Sequence, residues 1–266
     1  MGYNSDWRVL MQLTEHQRAG LLTGTISGFV SGLMGVGGGV IMVPLMVSYI
    51  GLTQHAAHGT SLAVMVFTGL ASAIAYGWQG SLDLGIVVQL AVGTMIGARF
   101  GALLCSRIPA DKLRRGFGFL VVVIGLRMVL PLPVADPIVA AGSPAAVAVT
   151  VVLGLLVGVL SGLMGVGGGM FMVPGMVLLL GMAQQEAQGV SLAVIVPTAL
   201  SGAFTHHQKG NVSTKAVPWL AIPSVLTALL GSYTAYLLPA AVLRQLFGLL
   251  LLFVGSRMAL SGTQRK

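Results

Sequence analysis

Charged side chains are scarce in this chain. Only 8% of its 266 residues are Asp, Glu, Lys or Arg, against about 25% in an ordinary soluble domain. Apolar residues make up 56% of the sequence, and the mean hydropathy is +0.94. This balance excludes a soluble globular protein and requires lipid as the solvent.

Residues that build catalytic and metal centres are also few. The chain has one Cys, five His and six Asp or Glu residues, too few for a disulfide framework or a Cys-rich metal site. No Ser/His/acid or His/carboxylate group recurs at a consistent depth of the apolar segments, which disfavours a hydrolase or an oxidoreductase. We therefore expect no enzyme activity, no cofactor and no metal site.

The net charge of +8 would suggest nucleic-acid binding in a soluble protein. Here the basic residues lie at the ends of apolar segments, where Lys and Arg orient a chain in the bilayer. We expect the lipid bilayer, and not nucleic acid, to be the partner of this charge.

An internal duplication organises the chain. Residues 31–46 read SGLMGVGGGVIMVPLM, and residues 161–176 read SGLMGVGGGMFMVPGM. The offset of 130 holds without a gap from Ser31 against Ser161 to Leu130 against Leu260, and about 43 of 100 paired positions are identical. Two such long repeats in an apolar chain are typical of secondary transporters.

Clustered prolines between the repeats break helices and indicate a linker. The predicted divisions are a cytoplasmic N-terminal segment at 1–19, a first transmembrane repeat at 20–130, a linker with the start of the second repeat at 131–149, a second transmembrane repeat at 150–260, and a C-terminal tail at 261–266.

One apolar segment in each repeat is too short to cross a membrane. Residues 40–50 would span about 17 Å as a helix, whereas the hydrocarbon core is about 30 Å thick. The segment is therefore a half-helix, and the glycine run before it either turns a re-entrant hairpin or interrupts one broken helix. The number of helices lies between about six full spans with two hairpins and ten.

Charge asymmetry favours an inverted arrangement of the repeats. If each half makes an odd number of crossings, twelve basic residues fall on one side and only Arg127 and Arg244 on the other; parallel halves would divide them almost evenly. This predicts an all-α polytopic membrane protein with two inverted-topology repeats, broken or re-entrant half-helices at the Gly-rich loops, and both termini cytoplasmic. The twelve are Arg8, Arg18, Arg99, Arg107, Lys112, Arg114, Arg115, Lys209, Lys215, Arg257, Arg265 and Lys266.

The glycine runs are the strongest candidates for a binding site. A GVGGG segment leaves backbone amides uncovered at the start of a half-helix, where unpaired N–H groups and the helix dipole attract anions. In inverted repeats the two runs would meet near the midplane around one small anion. Helix packing is the alternative use of small residues four apart. The candidate substrate-binding glycines are Gly35, Gly37, Gly38, Gly39, Gly165, Gly167, Gly168 and Gly169.

Hydroxyls and prolines near the glycine runs extend the predicted site. Ser61 and Ser191 lie on the helix that comes after each half-helix, where a hydroxyl can donate to an oxyanion; Ser in a membrane helix more often bonds its own helix. We assign both to substrate binding. A proline inside a half-helix removes one backbone N–H donor and weakens the row of hydrogen bonds along the helix. The predicted pathway and hinge residues are Pro44, Pro174, Thr68 and Thr198.

Several of these segments carry a family resemblance. The paired GLMGVGGGxxMVP segments, GTSLAV at 59–64, GVSLAV at 189–194, and the Ile-Pro and Leu-Pro pairs before Arg114 and Arg244 resemble the TauE/SafE family of sulfite exporters and organosulfonate permeases. The resemblance covers about residues 20–260. It implies a multi-pass transporter of the bacterial inner membrane for sulfur-containing oxyanions such as sulfite, sulfoacetate or a taurine-derived product.

The predicted mechanism is secondary transport by alternating access. No ATP-binding motif accompanies the glycine runs, which lack a preceding strand and a phosphate-binding Lys. A coupling ion, proton or sodium, is compatible with the sequence, although no Asp or Glu is embedded in mid-segment. A homo-oligomer is equally compatible. The alternatives are a passive anion channel and a membrane scaffold without transport.

Overall fold

The chain folds into ten α-helices and one π-helical turn in the part that the structure describes. The computed structural model describes residues 6–105, 110–130, 143–164 and 168–260, with side chains for 15–101, 115–130, 143–163 and 168–260. The helices are α1 (Asp6–Met34), α2 (Gly39–Leu45, extended by a π turn at Met46–Ile50), α3 (Gln54–Trp78), α4 (Leu84–Cys105), α5 (Ala110–Val129), α6 (Pro144–Met164), α7 (Gly169–Leu179), α8 (Gln184–Gln208), α9 (Val217–Leu237) and α10 (Ala240–Leu260).

The prediction of an all-α polytopic membrane protein is confirmed. Six helices among the described residues, α3, α4, α6, α8, α9 and α10, are long and apolar enough to cross a membrane. The half-helix of the first repeat, Gly39–Ile50, and that of the second, Gly169–Leu179, are shorter. Helix α1 begins at Asp6, within the segment predicted to precede the first repeat.

The first helix of each repeat packs against a helix of the other repeat. Helix α1 packs on α9, and α6 packs on α4. In both pairs a row of glycines four apart meets the facing backbone. Gly24, Gly28 and Gly32 of α1 lie against α9, and Gly154, Gly158 and Gly162 of α6 lie against α4, in matching order along the chain, so both pairs are parallel. Close backbone approach of this kind is how membrane helices associate without a hydrophobic driving force.

Helices at equivalent positions of the two repeats run antiparallel. At one end of the bundle Gly59 near the start of α3 contacts His206 and Asn211 near the end of α8. At the other end, Gly189 near the start of α8 contacts Tyr76 near the end of α3. The equivalent helices α5 and α10 also oppose each other, since Gly118 contacts Ala259 and Gly125 contacts Gly248.

The first half-helix returns to the end of the bundle from which α1 enters. Met42 and Met46 pack with Leu220 in one apolar cluster, and the same Leu220 faces Gly24 of α1. Helices α1 and α2 therefore form a hairpin whose far end is the glycine run.

The second half-helix makes the same return from the opposite end. Gly168 lies beside Ser161 and Gly175 beside Leu153, so α7 runs back along α6. Ala146 and Leu180, at the two open ends of this hairpin, line a single cleft. The two hairpins enter from opposite ends of the antiparallel pair α3 and α8.

Candidate functional site

The ends of the two hairpins touch inside the bundle. We call Gly35–Gly39 the first tip and Gly168–Gly169 the second tip. A Cβ atom added at Gly169 would lie 3.0 Å from the Cα of Val36 and 3.1 Å from the carbonyl oxygen of Gly35. Real Cβ atoms seldom approach other atoms so closely, so glycine at position 169 is what allows the tips to meet.

Both tips use left-handed backbone that glycine adopts readily. The φ angles are +72° at Gly35, +78° at Gly37 and +75° at Gly38 in the first tip, and +74° at Gly168 in the second. A side chain in this region costs about 1–2 kcal/mol per residue. The predicted site residues Gly165 and Gly167 lie outside the described residues, and their role stays a prediction.

Both half-helices begin at these tips without a side-chain cap. Gly38 and Gly168 are the N-cap residues, and neither can offer a side-chain acceptor to the first turn. The carbonyl of Gly38 accepts from the N–H of Met42 at 2.9 Å, and that of Gly168 accepts from Met172 at 3.0 Å. Because the first amides of a helix have no acceptor within it, each half-helix directs backbone donors toward the meeting point of the tips.

The two predicted serines make different bonds. Ser191 on α8 donates to the carbonyl of Gly35 at 2.8 Å, a bond from one repeat to the other. Ser61 on α3 donates to the carbonyl of His58 in its own helix at 3.1 Å, although its Oγ would lie 3.7 Å from a Cβ at Gly39. The structure brings both serines to the tips, but only Ser191 links the repeats.

The predicted threonines bond within their own helices. Thr68 donates to the carbonyl of Val64 at 3.3 Å, and Thr198 donates to that of Val194 at 3.1 Å. This is the common structural use of Thr in a membrane helix. Their hydroxyls have a protein acceptor in this conformation.

The two predicted hinge prolines lie in half-helices that end differently. Pro44 lies in α2, which passes into the π turn Met46–Ile50, whereas Pro174 lies in α7, which stays α-helical to Leu179. The predicted hinge at Pro44 therefore has an irregular helix beside it that Pro174 lacks.

Apolar side chains close the centre of the bundle beside the tips. A Cβ at Gly37 would lie 2.6 Å from Met65 Cε and 3.1 Å from Ile195 Cδ1. Met65 and Ile195 occupy equivalent positions of the two repeats and are buried in one cluster with Ala199. Met65 and Ile195 therefore fill the space beside the first tip.

A cleft of about 760 Å³ opens at one end of the bundle. The cleft is lined by the α3–α4 and α7–α8 turns, and it includes Asp83, Gln89, Thr150 and Glu186. Both carboxylates cap helix starts: Asp83 accepts from the N–H of Gly85 at 2.8 Å, and Glu186 accepts from that of Ala183 at 3.3 Å. The cleft lies at the end where the second hairpin enters and where α8 begins.

Sequence reasoning missed two buried carboxamides. Gln184 and Gln188 lie one turn apart in the first part of α8 and are buried. A Cβ at Gly35 would lie 2.7 Å from both Cα and Cβ of Gln188, so this residue packs directly on the first tip. Two amides four residues apart in an apolar helix were the available signal, because such groups are costly in a membrane unless they have partners.

Within residues 6–105, 110–130, 143–164 and 168–260, no three His, Cys, Asp or Glu side chains lie close enough together to bind a metal ion. The polar side chains that are buried as a whole there are neutral, namely Ser, Thr, Gln and Tyr, whereas Arg127 and Arg244 are half-buried.

Comparisons with known proteins agree on one family. The family model described as "Sulfite exporter TauE/SafE" matches residues 19–258. A probable membrane transporter protein, YdhB of Bacillus subtilis, is 30% identical over 237 residues, covering 85% of this chain and 96% of that protein. A probable membrane transporter protein of Haemophilus influenzae is 29% identical, covering 90% of this chain and 97% of that protein.

More distant relatives carry the same description. The probable membrane transporter protein MJ0441 of Methanocaldococcus jannaschii is 26% identical, over 79% of this chain and 83% of that protein. No solved structure matches the chain at a comparable level.

Proposed function

Because the chain belongs to the sulfite exporter TauE/SafE family, we propose that it is a secondary transporter that moves small sulfur-containing oxyanions across the bacterial inner membrane by alternating access. The observation that carries this proposal is the contact between the two glycine tips, at Gly169 against Gly35 and Val36. Each tip begins a half-helix, and two helix starts that meet inside an apolar bundle suit one bound anion.

The proposed site consists of backbone amides of both glycine runs with the hydroxyls of Ser61 and Ser191. Ser191 is bonded to Gly35 in this closed arrangement, and its release would accompany binding of the anion. The glycine rows in α1 and α6 serve helix packing, whereas the tip glycines combine close packing with left-handed backbone at the starts of the half-helices.

The proposed topology places the second repeat upside down relative to the first, with both termini cytoplasmic. Antiparallel packing of the equivalent helices α3 and α8 supports inversion. The described helix ends support the orientation, since Arg18, Lys209 and Lys215 lie at the end where α1 enters, whereas Arg127 and Arg244 lie at the opposite end.

In alternating access, the closed centre would open first toward one side of the membrane and then toward the other. Met65 and Ile195 lie at equivalent positions beside Gly37, so tilting α3 and α8 would uncover the tips from one side at a time. The cleft at the α8 start is the natural entrance from the outer side in this orientation.

Transport is tested with purified protein in proteoliposomes. Uptake and counterflow are measured for sulfite, sulfate, thiosulfate, taurine and sulfoacetate. A transporter shows saturable uptake and counterflow, whereas a passive channel shows neither. Absence of flux and of any thermal shift with all five compounds would indicate a scaffold and overturn the proposal.

Two variants test the glycine site. Gly38→Leu and Gly168→Leu place a side chain on a left-handed residue at each tip, and we expect both to abolish uptake while gel filtration still shows a folded protein. Normal uptake by both variants would reject the glycine site.

Topology is tested by labelling. In a Cys105→Ala background, Asp83→Cys should react with an impermeant maleimide added outside the cell. Labelling only after the cytoplasmic face is exposed would reject the proposed orientation.

A further inference from the structure

Two buried side chains at the first tip each have a polar atom without a hydrogen-bond partner. The atoms are Nε2 of Gln188 and Oγ of Ser31, in side chains that are 0% and 1% exposed. Burying a donor without an acceptor is costly, and native proteins rarely retain such groups. The two donors are therefore available to a bound ligand.

Both side chains border the same loop. Gln188 packs against Gly35. Ser31 lies one turn before Gly35 in α1, accepts the N–H of Gly35 on its carbonyl at 2.8 Å, and its Cβ would lie 3.2 Å from a Cβ at Gly38. A side chain with an unpartnered donor from each repeat thus packs on the first tip, Ser31 from the first and Gln188 from the second.

Tyr76 restrains the carboxamide of Gln188. Its hydroxyl lies 3.0 Å from Oε1 of Gln188 and 2.9 Å from the carbonyl oxygen of Gly32. Both are acceptors for the single proton of the phenol. In this arrangement Oε1 of Gln188 faces the hydroxyl of Tyr76, and Nε2 has no partner.

We propose that Gln188 and Ser31 bind the transported anion directly at the first tip, and that this site takes monovalent oxyanions in preference to divalent ones. The inference rests on the proposed transport function and names the side chains and the charge class of its substrate. The second tip does not repeat this site, because the position equivalent to Gln188 is His58.

The charge preference comes from the character of the donors. The side chains placed at the first tip, Ser31, Gln188 and Ser191, are all neutral, so they do not neutralise the charge of an anion held there. The cost of moving an ion from water to a low-dielectric site rises with the square of its charge. Sulfonates and hydrogen sulfite carry one negative charge, whereas sulfate carries two and would cost more to bind.

The test compares binding and stability in matched variants of the full-length protein. Ligand-induced thermal shift and competition with sulfite uptake are measured with methanesulfonate, which is monovalent, and with sulfate, which is divalent. The variants Gln188→Met and Ser31→Ala each remove one unpartnered donor. Their controls are Gln185→Met, an amide of α8 already bonded to the carbonyl of Leu238 at 3.0 Å, and Ser232→Ala, a buried serine already bonded to the carbonyl of Ala228 at 2.9 Å.

We expect Gln188→Met and Ser31→Ala each to weaken methanesulfonate binding about tenfold or more. The ligand-free melting temperature of both should stay equal or rise, because an unpaired buried donor has been removed. Both controls should bind as the wild type does, and sulfate should bind at least about tenfold more weakly than methanesulfonate.

Three results would count against the inference. If wild-type protein transports sulfite and both variants bind methanesulfonate normally, the assignment of Gln188 and Ser31 is wrong while the transport function stands. If sulfate competes as well as methanesulfonate, the charge preference is wrong. If the wild type neither binds nor transports any anion of the two panels, the proposed function itself fails and this inference with it.

Discussion

The two hairpin tips have nearly the same sequence but different surroundings. GLMGVGGG occurs at residues 32–39 and again at 162–169, and Gly38 and Gly168 have almost the same φ, +75° and +74°. The first tip faces Gln188 and Ser191 of α8, whereas the equivalent positions on α3 are His58 and Ser61. The duplicated sequence thus gives Gly38 and Gly168 almost the same φ, whereas the side chains at equivalent positions of α8 and α3 differ.

The contacts made by the tips also differ. Gly169 of the second tip meets backbone atoms of the first, whereas Gly39, its counterpart, meets mainly the end of the Met65 side chain. Backbone atoms are hard to displace when a new Cβ presses on them, whereas the end of a flexible side chain can move aside. Paired substitutions at equivalent positions can therefore measure how unequal the two tips are.

The largest effect is expected for Gly169→Ala against Gly39→Ala. The new Cβ at 169 would press on Val36 Cα at 3.0 Å and on the Gly35 carbonyl, so the tips must separate. We expect destabilisation of about 1–3 kcal/mol and loss of sulfite uptake in proteoliposomes. Gly39→Ala, which meets Met65 Sδ at 3.0 Å, should retain uptake, because that side chain can shift. Equal loss in both variants would show that the contact between the tips has no special role.

The next effect compares Gly38→Ala with Gly168→Ala. Both place a side chain on left-handed backbone, at a cost of about 1–2 kcal/mol. A Cβ at Gly38 would also lie 3.0 Å from the carbonyl oxygen of Ser27, whereas the nearest atom to one at Gly168 is 3.4 Å away. Gly38→Ala should therefore have the lower melting temperature by differential scanning fluorimetry. The reverse order would contradict the tighter packing of the first tip.

A smaller effect separates Ser191→Ala from Ser61→Ala. Ser191→Ala removes the donor to Gly35 from the other repeat, and interhelical bonds of this kind contribute about 0.6–2 kcal/mol in membranes. Ser61 bonds only its own helix, so Ser61→Ala should change stability by less than about 0.5 kcal/mol. Unfolding titrations in mixed micelles measure both. Indistinguishable midpoints would mean that the Ser191 bond does not join the repeats.

The smallest effect is expected at the threonines. Thr68 and Thr198 bond the carbonyl four residues before them, so Thr68→Val and Thr198→Val should leave stability within about 0.5 kcal/mol and leave the uptake rate close to that of the wild type. A large loss of uptake in either, with stability unchanged, would place that hydroxyl on the pathway.

Much of the architecture could be predicted from local sequence. The scarcity of charge required a membrane, and the 130-residue offset identified two repeats. The shortness of residues 40–50 identified a half-helix, and the structure ends that element at Ile50 with Gly51 in left-handed backbone. These features depend on composition, period and length, which are properties of the chain alone.

The polar partners of the tips were much harder to predict. Gln188 lies 153 residues after Gly35, and Tyr76 lies 112 residues before Gln188. No spacing rule connects positions so far apart, so the sequence showed two amides in an apolar helix without showing what they face. Both predicted serines lie near the tips. Which of them would form a hydrogen bond between the repeats depended on how α3 and α8 pack against the first tip.

The sequence by itself determined the solvent, the duplication and the glycines, because each results from the free energy of placing particular side chains in lipid or particular φ angles in a loop. Only the tertiary structure decided that the two tips touch, that α8 rather than α3 supplies a carboxamide to the first tip, and that Met65 and Ile195 close the centre. Such contacts arise when equivalent helices pack antiparallel, and packing joins residues according to their positions in space rather than their order in the chain.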